Sequence, residues 1–131
     1  MNKRDLLIFL GLQLFAAFWA GVVFSIFESR LLAGALAGTY FVASGLYMFR
    51  VVWRWQDKWM SLTIYPLIVH VFVISIPMVV ARFSQFQSNF EQIKIWGLEG
   101  PAFHQLSTTV FGGLLLATVL DLVRALRSKK I

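Results

Sequence analysis

The sequence predicts an all-α integral membrane protein, a bundle of four transmembrane helices in one domain. Of its 131 residues, 59% are hydrophobic and only 14% are charged, whereas soluble domains are about 45–50% apolar and about 25% charged. The uncharged residues form four long runs, each close to the roughly 20 residues that cross a hydrocarbon core. The basic residues are concentrated in the segments that four spans would place on one side of the membrane. These three observations predict the fold class.

The four runs cover about residues 6–27, 31–49, 60–81 and 102–120 of a single domain, 1–131. A helix of a soluble bundle keeps a polar face toward water. These runs are apolar on every side, so lipid is the solvent that suits them. The first run follows two basic residues, as a signal peptide would, but it is longer than the roughly 7–15 apolar residues of a signal peptide. We therefore expect it to be retained as a helix.

The distribution of basic residues predicts the orientation. With four spans, nine of the twelve Lys and Arg residues fall on the side of the two termini: Lys3, Arg4, Arg50, Arg54, Lys58, Arg124, Arg127, Lys129 and Lys130. The other side holds Arg30, Arg82 and Lys94, together with three glutamates. Because cytoplasmic loops carry the excess of basic residues, we expect both termini in the cytoplasm, in a bacterial inner membrane. The charge of +6 then acts on lipid headgroups, and no nucleic acid is predicted as a partner.

Two connections between spans have recognisable patterns. Residues 50–59 interleave tryptophans with basic residues, which is typical of an interfacial aromatic belt. Residues 82–101 form the long connection on the far side, where Phe83, Phe86, Phe90 and Ile93 recur at helical spacing. This spacing predicts a short amphipathic extracytoplasmic segment that ends at Gly97. It is either an ordinary interfacial connector or a docking surface for a partner or a lipid.

Small residues in the second and fourth spans form a candidate helix-packing seam. Gly34 and Gly38 make a GxxxG pair, Gly45 follows one heptad later, and the fourth span contributes Gly113 and Ala117. Small side chains let two helix backbones approach closely in a membrane. The seam predicts close packing either within this chain or against another subunit.

Few polar residues lie at membrane depth, and two of them form a candidate contact. Gln13 lies roughly 10 Å and His70 roughly 15 Å into their spans at 1.5 Å per residue. Polar groups at this depth usually face the interior of a bundle. A hydrogen bond between Gln13 and His70 is the default expectation. Asp121, three residues before Arg124, is expected to form an ion pair with it on the same helix face.

No catalytic, cofactor-binding or metal-binding residue is predicted. The chain has no cysteine, which excludes disulfides and thiolate sites. His104, the second histidine, lies more than about 10 Å from His70 along the membrane normal by helical rise. The two histidines are therefore not expected to clamp one haem within the chain.

The predicted function is that of an accessory or structural subunit without catalysis of its own. It would work in the lipid bilayer through helix packing, in a homo-oligomer or with other membrane-protein subunits. One alternative is a small oligomeric transporter or channel, with Gln13 and His70 near the pathway. A further alternative is a haem- or quinone-associated membrane subunit.

Overall fold

A computed structural model describes residues 2–28, 30–84 and 93–128 of the chain. In this part, four helices are long and apolar enough to cross a membrane. They are α1 (Lys3–Ile26), α2 (Arg30–Trp53), α3 (Ile64–Ser84) and α4 (Gly100–Ser128). The structure is consistent with membrane localisation, and the helices agree with the four predicted spans to within a few residues, except that α4 runs eight residues beyond the predicted end at residue 120.

The helices form an antiparallel ring in which each packs against the next and α4 closes against α1. One end of the bundle carries both chain ends and the connection between α2 and α3, and we call it the terminal end. The opposite end carries the α1–α2 turn and the connection between α3 and α4, and we call it the hairpin end. A cluster of buried apolar side chains fills the terminal end, with Leu6, Phe9, Ile64, Leu67 and Leu114 at its centre.

Helix α3 begins at Ile64, four residues later than the predicted start at residue 60. Lys58–Met60 form one turn of 3₁₀ helix, and the Asp121 carboxylate of α4 holds the chain between that turn and α3. Pro66 therefore lies in the first turn of α3, where its missing N–H would have no helical partner. At this position the proline does not interrupt a helical hydrogen bond.

The middle of α3 is a π-helix, Val69–Ser75, between α-helical segments Ile64–Ile68 and Ile76–Ser84. In a π-helix, each backbone N–H bonds to the carbonyl five residues earlier, and such segments are frequent at functional sites. The spacing of apolar residues in the sequence does not indicate this change from α-helical to π-helical pitch. Its consequence is that residues five apart, His70 and Ser75, lie side by side.

The helical structure predicted for the segment that ends at Gly97 is wrong from Lys94 to Gly97, which lie in a hairpin that continues to Glu99. These residues form a β-hairpin in which β1 (Lys94–Ile95) pairs antiparallel with β2 (Leu98–Glu99). Trp96 and Gly97 make the turn with φ of 55° and 79°, as a two-residue hairpin turn requires.

Phe86 and Phe90 lie outside the described residues. Buried Ile93 and Ile95 pack with Ile74, Ala81 and Phe103, so the segment fills the gap between α3 and α4.

The exterior of the bundle is apolar along its length. Phe18 is 65% exposed on α1, Val80 is 59% exposed on α3 and Leu116 is 60% exposed on α4. Such side chains in water would form an apolar patch far larger than monomeric soluble proteins expose. An apolar exterior of this kind is consistent with membrane localisation.

Candidate functional site

The seam glycines of α2 face α3 of the same chain. A Cβ atom on Gly45 would lie 2.6 Å from Val71 Cγ2, and one on Gly38 would lie 2.7 Å from Val79 Cγ2. A Cβ on Gly34 would lie 3.1 Å from Nε of Arg82. These three glycines therefore let α3 approach the α2 backbone. The guanidinium of Arg82 occupies the space next to Gly34.

The α4 members of the predicted seam have different surroundings. Ala117 is buried, at 8% exposure. Gly113 is exposed, and a Cβ atom there would meet nothing within 4 Å. The structure therefore does not bring Gly113 together with the α2 glycines.

Gln13 and His70 each have another hydrogen-bond partner. Gln13 donates through Nε2 to Thr118 Oγ1 at 2.8 Å and to the Met48 sulfur at 3.8 Å. Its Oε1 is buried and has no hydrogen-bond partner in the described part of the chain. Ser75 Oγ lies 3.3 Å from Nδ1 of His70. Both predicted residues line one void of about 10 Å³, but no hydrogen bond joins them among the described residues.

Aromatic rings enclose the imidazole of His70. The ring centroids of Phe41 and Phe111 lie 5.6 Å and 5.7 Å from that of His70, and His70 itself is 5% exposed. One side of this aromatic group faces the small void beside Gln13. The other side faces a larger cavity at the hairpin end.

A cavity of about 240 Å³ lies inside the hairpin end of the bundle. All four helices contribute to its wall, which is mostly apolar. The lining residues are Ala17, Ala20, Phe24, Gly34, Ala37, Gly38, Phe41, His70, Ile74, Ser75, Met78, Arg82, His104, Ser107, Thr108 and Phe111. An apolar pocket with a few polar groups is the usual form of a small-molecule site. This cavity is the candidate functional site.

The polar groups are distributed along the length of the cavity. His70 and Ser75 lie at the inner end, Ser107 and Thr108 on the α4 wall, and Arg82 toward the hairpin end. Arg82 is only 9% exposed. Burial of a charged side chain in a membrane-spanning helix is costly, and such residues usually mark a functional site.

The cavity opens sideways between α1 and α4. Ala17 and Phe24 on α1 and His104 and Thr108 on α4 line it and are exposed, whereas its lining residues on α2 and α3 are buried or half-buried. Toward the hairpin end it meets a groove of about 620 Å³, whose wall shares Phe24, Arg82 and His104 and adds Glu28. In a membrane, the side opening would face lipid.

The hairpin holds the α3–α4 side of the cavity in place. Trp96 donates its indole N–H to the Val73 carbonyl at 2.9 Å. Val73 belongs to the π-helical segment that carries His70 and Ser75, so the hairpin contacts α3 within that segment.

A second polar cluster lies at the terminal end and has a structural role. Asp121, fully buried, accepts hydrogen bonds from the hydroxyls of Ser61 and Thr63 at 2.7 Å each, and from the backbone N–H groups of Leu62 and Thr63. The predicted ion pair with Arg124 is confirmed at 3.2 Å. Because these bonds fix the entry into α3, Asp121 acts as a helix cap supplied by a different helix.

Sequence reasoning missed Arg82 and the Asp121 cluster. Arg82 was assigned to the far-side loop because it follows the third uncharged run. No signal in one sequence reports that Gly34 leaves room for its guanidinium. Ser61 and Thr63, by contrast, precede an apolar run as helix-capping residues do, and this signal could have indicated a buried acceptor.

The described residues contain no group of three His, Asp or Glu side chains that could hold a metal ion. Among them, the ionisable side chains at the cavity wall are His70, Arg82 and His104. Comparison with known proteins found no matching family, no matching curated protein and no matching solved structure.

Proposed function

We propose that the protein is a non-catalytic integral membrane protein that holds an amphipathic membrane molecule in the cavity at its hairpin end. The observation that carries this proposal is the shape of the space. It is mostly apolar, bordered by polar groups at both ends, and open on the side of α1 and α4, which would face lipid in a membrane. A lipid-like molecule could enter from the bilayer without leaving it.

The proposal includes location and orientation. The protein lies in a bacterial inner membrane with both termini in the cytoplasm, and the cavity belongs to the extracytoplasmic half. The charge distribution supports this orientation, since the basic residues gather at the terminal end.

Purification in a mild neutral detergent, followed by native mass spectrometry, tests the binding proposal. The wild-type protein should retain about one bound amphiphile per chain. Ser107→Phe adds bulk to the cavity wall and should remove the bound molecule. Leu116→Phe, on the exposed face of the same helix, is the matched control and should retain it. Equal occupancy of the wild type and Ser107→Phe would overturn the proposal.

An accessory-subunit role, in a homo-oligomer or larger membrane complex, is the second candidate. The observation that favours it is that Gly21, Gly112 and Gly113 have nothing within 4 Å of an added Cβ atom. These glycines leave room for the close approach of a helix from another chain. The α2 seam cannot serve this purpose, because α3 already covers it.

Leucine substitutions at two of these glycines test the accessory-subunit role. Gly21→Leu combined with Gly113→Leu should lower the oligomeric mass or the yield of co-purifying membrane proteins, while the fold is kept. An unchanged mass and an unchanged set of co-purifying proteins would remove the support for this role. A transport path is less favoured by the geometry, because apolar side chains fill the terminal end of the bundle.

A further inference from the structure

The side-chain amide of Gln13 has only one of its two ends hydrogen-bonded to oxygen or nitrogen. Gln13 is 1% exposed, and its Nε2 donates to Thr118 Oγ1 at 2.8 Å. Its Oε1 is buried and meets no donor in the described part of the chain. A buried acceptor without a donor is costly and rare in proteins, and ordered water commonly satisfies such groups.

The neighbouring threonine fixes the orientation of this amide. Thr118 donates its hydroxyl proton to the Leu114 carbonyl at 2.9 Å. A hydroxyl has one proton, so Thr118 Oγ1 can only accept from Gln13. If the amide oxygen and nitrogen of Gln13 exchanged places, two acceptors would face each other. Oε1 is therefore the atom of Gln13 that needs a donor.

A void of the right size adjoins this amide. Its volume is about 10 Å³, and its polar lining side chains are Gln13, Ser44 and His70. A water molecule needs about 10–15 Å³ of such volume and at least two polar partners. The void therefore admits one water and excludes larger molecules.

His70 supplies the second polar partner. Ser75 Oγ lies 3.3 Å from Nδ1 of His70, so Nε2 is the ring nitrogen that has no hydrogen bond among the described residues. A ring nitrogen of neutral imidazole is a donor in one tautomer and an acceptor in the other. Water can accept from a protonated Nε2 or donate to an unprotonated one. In both cases it keeps a proton for Oε1 of Gln13.

We propose that this void is a binding site for one water molecule, which donates to Oε1 of Gln13 and bonds to Nε2 of His70. The contact expected from the sequence between these two residues is then bridged by water instead of direct. The hydrogen bonds already described extend the bridge to Ser75 on one side and to Thr118 on the other. One polar connection thus joins α3, α1 and α4, whatever molecule the larger cavity holds.

Magic-angle-spinning NMR of the full chain in lipid bilayers, with ¹⁵N-labelled histidine, tests the proposal. The measurement follows magnetisation transfer from water to the ring nitrogens, and His70→Phe identifies the His70 signals by their loss. Nε2 of His70 should receive transfer from water in the wild type. Gln13→Leu makes this part of the void apolar, and apolar voids stay dry, so the transfer should fall severalfold.

Met48→Leu is the matched control. Met48 lines the same void, and its sulfur lies 3.8 Å from Nε2 of Gln13, but this substitution keeps Oε1. The variant should therefore show wild-type transfer.

Three results would overturn the water site. The absence of transfer to Nε2 in the wild type contradicts it without any variant. Transfer that Gln13→Leu leaves unchanged also contradicts it, because water in the larger cavity would then explain the signal. Equal losses in Met48→Leu and Gln13→Leu would show that packing around the void, and not Oε1, governs the transfer.

Discussion

Glycines in the helices of this bundle have opposite surroundings. Gly45 lies in contact with α3, where an added Cβ atom would meet Val71 at 2.6 Å, whereas Gly113 faces outward with nothing within 4 Å. Gly45→Ala should therefore lower the free energy of unfolding by about 1–3 kcal/mol through overpacking. Gly113→Ala should be neutral or stabilising by up to about 1 kcal/mol, because alanine favours helix.

Denaturant titration in detergent micelles, followed by circular dichroism, measures both variants. The pair is matched, since each adds one methyl group to a membrane helix. A loss of stability at Gly113 as large as that at Gly45 would contradict the assigned packing and would point to a second chain at Gly113.

Asp121 is the residue on which the terminal end depends most. Its carboxylate accepts hydrogen bonds from Ser61, Leu62 and Thr63 in a fully buried position. Asp121→Asn removes the charge and one acceptor oxygen, so we expect a loss of at least about 2 kcal/mol in unfolding free energy. Asp5→Asn weakens one hydrogen bond, from Trp55 Nε1 at 3.2 Å. It should lower the unfolding free energy by less than about 1 kcal/mol.

Thermal unfolding of the two variants under identical detergent conditions compares these costs. Similar decreases in unfolding temperature for Asp121→Asn and Asp5→Asn would mean that the buried Asp121 cap contributes no more to stability than one half-exposed hydrogen bond.

At the residue level, the sequence indicates which side chains face protein but not which partners they meet. Gln13 and His70 are both buried, as polar groups at membrane depth must be. Their partners, Thr118 and Ser75, depend on helix rotation and on the π-helical pitch of α3. Neither quantity can be read from a run of apolar residues.

Among the elements, α3 departs most from a regular helix. Its π-helical centre is joined to the hairpin, because Trp96 of the hairpin donates its indole N–H to the carbonyl of Val73. We therefore expect the hairpin to stabilise this segment of α3.

Substitution of Trp96 tests this contact. Trp96→Phe removes the indole N–H and should lower the free energy of unfolding by about 1 kcal/mol beyond the loss of ring area. Chemical unfolding of the wild type and the variant measures this cost, and an unchanged free energy of unfolding would contradict the stabilising role of the hairpin.

Each long helix could be predicted because an uncharged run of about 20 residues can adopt few other structures in a membrane. The short hairpin could not be predicted in the same way. Phe83, Phe86, Phe90 and Ile93, which precede it, recur at helical spacing, but the turn at Trp96 and Gly97 and the contacts with α3 and α4 determine the structure of residues 94–99. Tertiary contacts override local periodicity in a segment this short.

At the scale of the whole molecule, the interior of the described bundle is filled at one end and hollow at the other. Apolar side chains and the Asp121 cap occupy the interior of the terminal end, while the hairpin end encloses the cavity. Under the proposed binding function, stability and binding would therefore depend on different ends of one bundle. Cavity variants such as Ser107→Phe should therefore change ligand occupancy with little effect on unfolding.

The orientation of this bundle is a prediction of the whole molecule. With nine basic residues at or beyond the terminal end, that end should face the cytoplasm and the hairpin should face outward. The chain has no cysteine, so single cysteines introduced at exposed positions report their own side without background. Gln56→Cys and Arg127→Cys mark the terminal end, and Glu99→Cys marks the hairpin end.

Labelling of intact cells with a membrane-impermeant maleimide measures the orientation. Glu99→Cys should react from outside, whereas Gln56→Cys and Arg127→Cys should react only after the membrane is permeabilised. The reverse pattern would place the cavity in the cytoplasmic half and would change which leaflet supplies its lipid. Reaction of Gln56→Cys and Arg127→Cys from opposite sides would contradict the four-span arrangement, because an even number of crossings between them is required.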